Sequence, residues 1–328
     1  MTVPVWAYIA VIGGLLVVLA VDLWIVDRGE AREFSMRQAG YWVTFYVALA
    51  VLFGGLLWAT MGPDKAGEFF AGYITEYSLS VDNLFIFFII MSRFAVPRAY
   101  QHKVLLVGIV LALVMRGMFI ALGAAALQRF SWLFYVFGAF LLYTAFTIVR
   151  DHLKDEDEDF NENLLLRWVR RAFPTTEGYV GSKITAKIDG RRMVTPMLIV
   201  MVAIGSTDLL FALDSIPAIF GLTTDPFIVF TANAFALMGL RQLYFLLGGL
   251  LQRLVYISYG LAFILGFIGV KLVLEALHAS GVSWAPEIPI WLSLTVIGGT
   301  MVITTVASLI KARVDSRRSE ESSPTGAS

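Results

Sequence analysis

Apolar residues run almost unbroken through nine stretches of the chain, and each is long enough to cross the hydrocarbon core of a bilayer, which takes about 20 helical residues. They cover 5–26, 40–60, 66–91, 103–124, 130–149, 194–221, 226–248, 254–277 and 288–311. Polar residues gather between them, mostly in short connections, with one long exception at 150–193. This pattern predicts an all-α integral membrane protein of about nine transmembrane helices. The first run begins at Val5 with no basic residue ahead of it and no small-residue cleavage site behind it, so it reads as a retained helix rather than a signal peptide.

Composition agrees, with 15% charged residues where soluble domains carry about 25%, and a mean hydropathy of +0.77. A net charge of zero gives no electrostatic reason to expect a nucleic-acid partner. The lack of cysteine removes disulfides, thiolate metal sites and cysteine nucleophiles. Basic residues fix the orientation: twenty fall on one side of the nine spans, while the other side holds only Lys65 and Arg129. By the positive-inside rule the N-terminus is outside and the C-terminus cytoplasmic, in the cell inner membrane. Within the long cytoplasmic connection, "KDEDEDF" reads as a solvated acidic linker and "NLLLRWVRRAF" as an amphipathic helix on the anionic leaflet. "KITAKIDGRRMV" reads as a hairpin turning at Asp189-Gly190. The tail after Arg313 is rich in Ser and Glu and reads as disordered.

Two spans carry acids in their middles, and they do so in the same pattern. Thr75-Glu76, five residues, Asp82-Asn83 matches Thr207-Asp208, five residues, Asp214-Ser215. Each is followed by a span with one intramembrane arginine, Arg116 or Arg241, then by Gln128-Arg129 or Gln252-Arg253, then by "FGAFLLYTAF" or "YGLAFILGFIG". The chain therefore holds two three-helix units, spans three to five and six to eight. Because three is odd, the second is inverted relative to the first, as in many secondary transporters. The organisation is two accessory helices (1–65), the first repeat (66–149), the cytoplasmic connection (150–193), the second repeat (194–277), a ninth helix (278–311) and a tail (312–328).

Residues six apart on a helix differ by roughly 240°, so Glu76 and Asp82 do not share a face, nor do Asp208 and Asp214. Residues seven apart nearly do, which places Thr75 with Asp82, Glu76 with Asn83, Thr207 with Asp214 and Asp208 with Ser215. Either the two faces line adjoining compartments or the helix unwinds between them. Pro217 favours unwinding in the second repeat, because it lacks an N–H and crowds the carbonyl of Leu213.

A charge at mid-membrane costs about 2.5 to 3.5 kcal/mol on insertion scales, so four carboxylates need partners. Arg116 and Arg241 neutralise two, and a divalent cation closes the remaining deficit. The candidate ligands Glu76, Asp82, Asn83, Asp208, Asp214 and Ser215 are all oxygen donors, which suits Mg, Ca or Mn. His102, His152 and His278 fall at span ends or in a loop. The metal is cargo rather than cofactor, and no catalytic constellation stands out. No GxxxxGK[ST] motif is present, so an ion gradient is the expected energy source.

The stretches "EYSLSVDNLFIF", "TPMLIVMVAIGSTDLLFALDSIPAIF", "NAFALMGLRQLYFLL" and "YGLAFILGFIGVKL" resemble the TerC/Alx family of membrane proteins, in order and over essentially the full chain. The resemblance implies export of manganese from the cytoplasm, a historical link to tellurium resistance, and transport through the acids carried here by Glu76, Asp82, Asp208 and Asp214. The chain departs from the family in reading Gly205-Ser206 where an acid would precede Thr207. Beside Mn2+ export stand two other readings, a proton/Ca2+ exchanger and a membrane assembly scaffold. A structural reading also stands for each site: the acids as a polar network joining the repeats, the arginines as packing salt bridges, and Lys271 and Glu275 as a local pair one turn apart.

Overall fold

A computed structural model describes residues 9–14, 17–18, 20–21, 36–130, 132–153, 175–176, 178–188, 191–247, 256–282 and 284–322. At a few helical positions, Asp82 among them, only the backbone is described. Nine helices with described ends and one hairpin lie among these residues: α1 Met36–Met61, α2 Pro63–Arg93, α3 Arg98–Arg129, α4 Leu133–Leu153, β1 Thr185–Ile188, β2 Arg191–Val194, α5 Pro196–Phe220, α6 Pro226–Met238, α7 Leu240–Leu247, α8 Ile257–Ala279 and α9 Ile290–Ser322. Taken together, α6 and α7 make one span, so eight membrane-crossing segments lie among the described residues. The run 5–26 falls largely outside them, although Val11 and Val18 pack on the cluster that joins α1, α2 and α6. The acidic run and the amphipathic stretch at 163–173 also lie outside the described residues.

Helix starts follow from local sequence. Proline opens α2, α5 and α6 at its first turn, where the missing N–H costs nothing. At α6 the Asp225 carboxylate also caps the end by accepting from the Phe227 N–H at 3.0 Å. Large apolar side chains on α1, α3 and α9, such as Leu52, Leu56, Met118, Leu122, Val302 and Ile303, are left exposed. Such surfaces suit lipid and not water. By contrast, α6 is buried on every side.

Packing reproduces the inverted repeat. Exchanging α2 with α5, α3 with α6–α7, and α4 with α8 returns the principal neighbours. The pairs α4–α8, α2–α5 and α3–α6 map onto themselves, α2–α6 onto α3–α5, and α4–α5 onto α2–α8. Ala71 clusters with Ala218 and Leu222, whereas Ile90 and Met91 cluster with Met197 and Val200, so α2 and α5 run antiparallel, as inversion requires.

Two expectations are corrected. Pro217 does not unwind α5, which is helical from Pro196 to Phe220. The proline sits in the last turn, so only one rung is lost before the helix ends anyway. Instead, the break falls in the following span at Gly239, which lies against Tyr46 and Tyr77 and separates α6 from α7. The tail does not begin at 312: α9 continues to Ser322, because residues 312–322 contain no Gly or Pro to stop it. The hairpin is as expected, with Ile188 opposite Arg191 across the two-residue turn. It lies at the arginine-rich end, where the Tyr179 hydroxyl donates to the Phe94 carbonyl at 2.8 Å and the Lys103 ammonium to Ser182 at 2.9 Å.

One close helix contact, between α4 and α8, brings main chain against main chain. A Cβ on Gly138 of α4 would lie 2.9 Å from the Gly269 carbonyl of α8, and one on Gly269 would lie 3.0 Å from the Gly138 carbonyl. Gly138→Ala should therefore lower the melting temperature of the detergent-solubilised protein, at a cost of about 1–3 kcal/mol for overpacking. Gly298→Ala, which meets open space, should leave it unchanged.

Candidate functional site

The middle of the bundle is organised by Arg116 of α3, 1% exposed. Its guanidinium forks onto Asp208 of α5, Nη2 to Oδ1 at 3.1 Å and Nε to Oδ2 at 3.4 Å. Nη1 donates to Ser215 Oγ at 3.2 Å and to Glu76 Oε1 of α2. Planar guanidinium suits this task, because one group satisfies several acceptors in fixed directions. Asp208 and Ser215, seven apart, meet the same arginine, which confirms the face assigned to them by helix periodicity.

The antiparallel packing of α2 on α5 arranges the acids in two tiers. Gly72 of α2 lies against Ile219 of α5. Stepping along the pair in opposite directions sets Glu76 level with Ser215, and Asn83 level with Asp208. Each tier thus combines backbone positions from both repeats, with Glu76 beside the Asp214-Ser215 pair in one and Asp82-Asn83 beside Asp208 in the other. Arg116 bonds an acid from each tier and from each repeat.

Asp214 does not join the arginine. It turns toward α4, where Oδ1 accepts from the Thr144 hydroxyl at 3.3 Å. The two acids of the α5 motif therefore face different surroundings on one unbroken helix, the first of the two alternatives left by helix arithmetic. Asn83 is buried at 5% exposure. Arg241, on α7, is 2% exposed and is the counterpart of Arg116 in the second repeat. The Asp82 side chain lies outside the described residues. Among the described residues, no three His, Asp or Glu side chains gather as a ready-made metal cage. Ser206, which stands near where the family resemblance leads one to expect an acid, turns its hydroxyl back to the Ala203 carbonyl at 3.0 Å.

One guanidinium faces two carboxylates, so the cluster carries formal surplus negative charge. It also has unused acceptors and donors. Glu76 Oε2, Thr75 Oγ1, Ser80 Oγ and Asn233 Nδ2 are buried without a hydrogen-bond partner among the described residues. Such groups are costly to leave empty. Asn233 is absent from the residues singled out by sequence. Its neighbour Ala232 packs on Gly72, and Phe230, one turn back, packs on Gly117 beside Arg116. Its equivalent in the first repeat, eight residues before the arginine, is Gly108, so the repeat pattern itself hides it. Thr144 was equally unmarked, because a lone threonine in an apolar span has no sequence signature.

Removing one partner of a buried ion pair costs about 3–5 kcal/mol, because the other charge is stranded. Arg116→Met should therefore lower the melting temperature sharply in detergent, and Asp208→Asn added to it should restore part of the loss. Asp214→Asn, which touches only a 3.3 Å bond, should be nearly neutral in the same measurement.

Comparison with known proteins points one way. The profile described as the Integral membrane protein TerC family matches residues 61–316. An uncharacterized membrane protein of Mycobacterium tuberculosis (strain H37Rv) is 46% identical over 313 residues, spanning 91% of this chain and 79% of the relative. One of Myxococcus xanthus is 41% identical over 299 residues, 91% and 90% of the two chains. The Escherichia coli (strain K12) protein Alx, described as a candidate membrane-bound redox modulator, is 36% identical over 322 residues, 95% and 97% of the two. No solved structure matches the chain.

Proposed function

Since the chain belongs to the integral membrane protein TerC family, a family of multi-pass membrane proteins, we propose that it is a secondary-active transporter that exports Mn2+ from the cytoplasm, driven by a proton gradient. The observation that carries the reading is the bare oxygen of Glu76: a carboxylate 0% exposed, with one oxygen held by Arg116 and the other without a partner among the described residues. A buried anion that its arginine shares with Asp208 has charge left for a cation. The donors around it are carboxylate, hydroxyl and amide oxygens, which favour hard divalent ions.

In this reading the arginine-rich end is cytoplasmic, as the positive-inside rule directs, and the N-terminus is outside. The ion enters the tier of Asp82, Asn83 and Asp208, and passes to the tier of Glu76, Asp214 and Ser215. Arg116 holds the two tiers together and keeps the site from collapsing when the ion leaves. The protein works on its cargo by binding and release and makes no covalent change. Without cysteine, any redox role shared with Alx would run through the metal carried and not through thiols of its own.

The test is Mn2+ flux in proteoliposomes of the purified protein under an imposed pH gradient, with Ca2+ and Mg2+ as competitors. Flux should require the gradient, and Glu76→Gln or Asp208→Asn should cut it by more than about tenfold, a loss of over about 1.4 kcal/mol of differential binding. Absence of flux in the unmodified protein removes the transport reading, and undiminished flux in both variants removes the site.

A further inference from the structure

At the end opposite the arginine-rich connections, a closed ring of polar contacts ties the start of α2 to the turn between α5 and α6. The Lys65 ammonium reaches Glu68 Oε2 at 2.7 Å and Asp225 Oδ2 at 3.7 Å. The same Glu68 oxygen accepts from the Thr223 hydroxyl, and the Thr223 oxygen accepts from the Asp225 N–H at 3.2 Å, which closes the ring. Lys65 and Glu68 stand on α2, the first helix of one repeat, whereas Thr223 and Asp225 follow α5, the first helix of the other. The ring therefore crosses the boundary between the halves. Its three charged side chains are each partly exposed.

The inverted repeat lets the same positions be read at the other end. The two copies are offset by the 132 residues that separate Glu76 from Asp208, so Lys65 corresponds to Met197, Glu68 to Val200 and Thr223 to Met91. Asp225 corresponds to Arg93, an exposed residue at the last position of α2. Met197, Val200 and Met91 also meet, within one apolar cluster, and each is at most 1% exposed. One contact between the halves is thus made twice, by charge and hydroxyl at one end and by hydrocarbon at the other. The two do not part alike. Opening an apolar seam puts buried hydrocarbon into water, which is opposed in proportion to the area uncovered. Opening partly exposed ion pairs returns ionic groups to water that hydrates them, and such pairs are weak and screened by salt.

Behind the ring lies a cavity of about 310 Å³, to which Glu68, Thr223, Leu222 and Phe220 contribute. It points along the helices that carry the buried cluster. Glu68 is eight residues from Glu76 on α2, about 12 Å along the helix. On α5 the buried Phe220, which lies against Gly123, is five residues beyond Ser215. Loosening the ring widens this space toward water and leaves the apolar seam at the far end intact.

We propose that the ring of Lys65, Glu68, Thr223 and Asp225 is an ionic latch between the repeats, and that this latch, rather than the apolar seam, yields first when the halves part. The latch stands on the contacts above; that its opening frees the cargo rests on the transport reading.

The experiment uses the full-length protein in nanodiscs and a neutral maleimide, whose encounter rate does not depend on salt. Because the chain has no cysteine, one introduced thiol is the sole target. Leu222→Cys reports the latched end, where Leu222 is buried in the cavity lining, and Met197→Cys reports the apolar seam. Raising NaCl from about 50 mM to about 500 mM should speed labelling at Leu222→Cys by about two- to fivefold, the scale of weakening one partly exposed pair. Lys65→Met should give the fast rate at low salt and remove the salt dependence, while Lys65→Arg should keep both as they were. Met197→Cys should label slowly under every condition. Labelling at Leu222→Cys that ignores salt overturns the latch, as does a salt dependence that survives Lys65→Met. Should either variant not fold, hydrogen exchange at the Asp225 and Phe227 amides of the unmodified protein decides: faster exchange at high salt upholds the latch, and exchange unmoved by salt overturns it. A salt-sensitive latch in a protein that carries no Mn2+ flux upholds the latch and removes the transport reading; flux with salt-insensitive labelling does the reverse.

Discussion

A single guanidinium at the depth of the hydrocarbon core sets the terms for the rest of the molecule. Arg116 takes one acid from each half of the chain, Glu76 and Asp208, and adds the Ser215 hydroxyl. Removing any of these groups from water is expensive, and only the combined geometry makes their burial tolerable. Because the two acids come from antiparallel helices in opposite repeats, the ion pair also fixes the register of α2 against α5. The helices around them satisfy this arrangement: α6 fills the centre as a buried, mainly apolar column, and α1, α3, α4 and α9 meet lipid with their outer faces. One arginine against two acids nevertheless leaves a surplus, and the Glu76 oxygen that has no partner among the described residues is where it resides.

Much of this was legible in the sequence because it depends on periodicities that the chain displays openly. Span number and length follow from apolar runs, and the inverted architecture follows from an odd number of helices between two copies of one motif. Helix periodicity alone joined Asp208 to Ser215 and separated Asp208 from Asp214. What was not legible depends on which neighbour a side chain meets. Nothing in the motif distinguishes an acid that finds Arg116 from one that finds Thr144, since that choice is made by α3 and α4 after packing. Pro217 misled for a related reason: its intrinsic preference is strong, but the end of α5 arrives before a kink is needed. Gly239 broke its span instead, at a point where two tyrosines lie against the helix. Asn233 was concealed by symmetry, because its counterpart Gly108 carries no side chain to call attention to the position.

The repeats are alike in plan and unlike in detail. Both carry the same acid spacing and the same single arginine, but the second repeat splits its middle helix and adds a buried amide where the first has glycine. Departures of this kind are where paired halves of equal topology acquire unequal energies, so that two inverted conformations of one site need not be equally populated.

The glycine contact between α4 and α8 bears on that inequality. Where two backbones approach through Gly138 and Gly269, with Val273 and Leu142 packed alongside, little space is left to absorb a displacement. The pair must slip as two smooth rails or stay put as a common spine. Val273 and Leu142 interlock beside the seam, which favours the spine: α4 and α8 are bound to move as one unit.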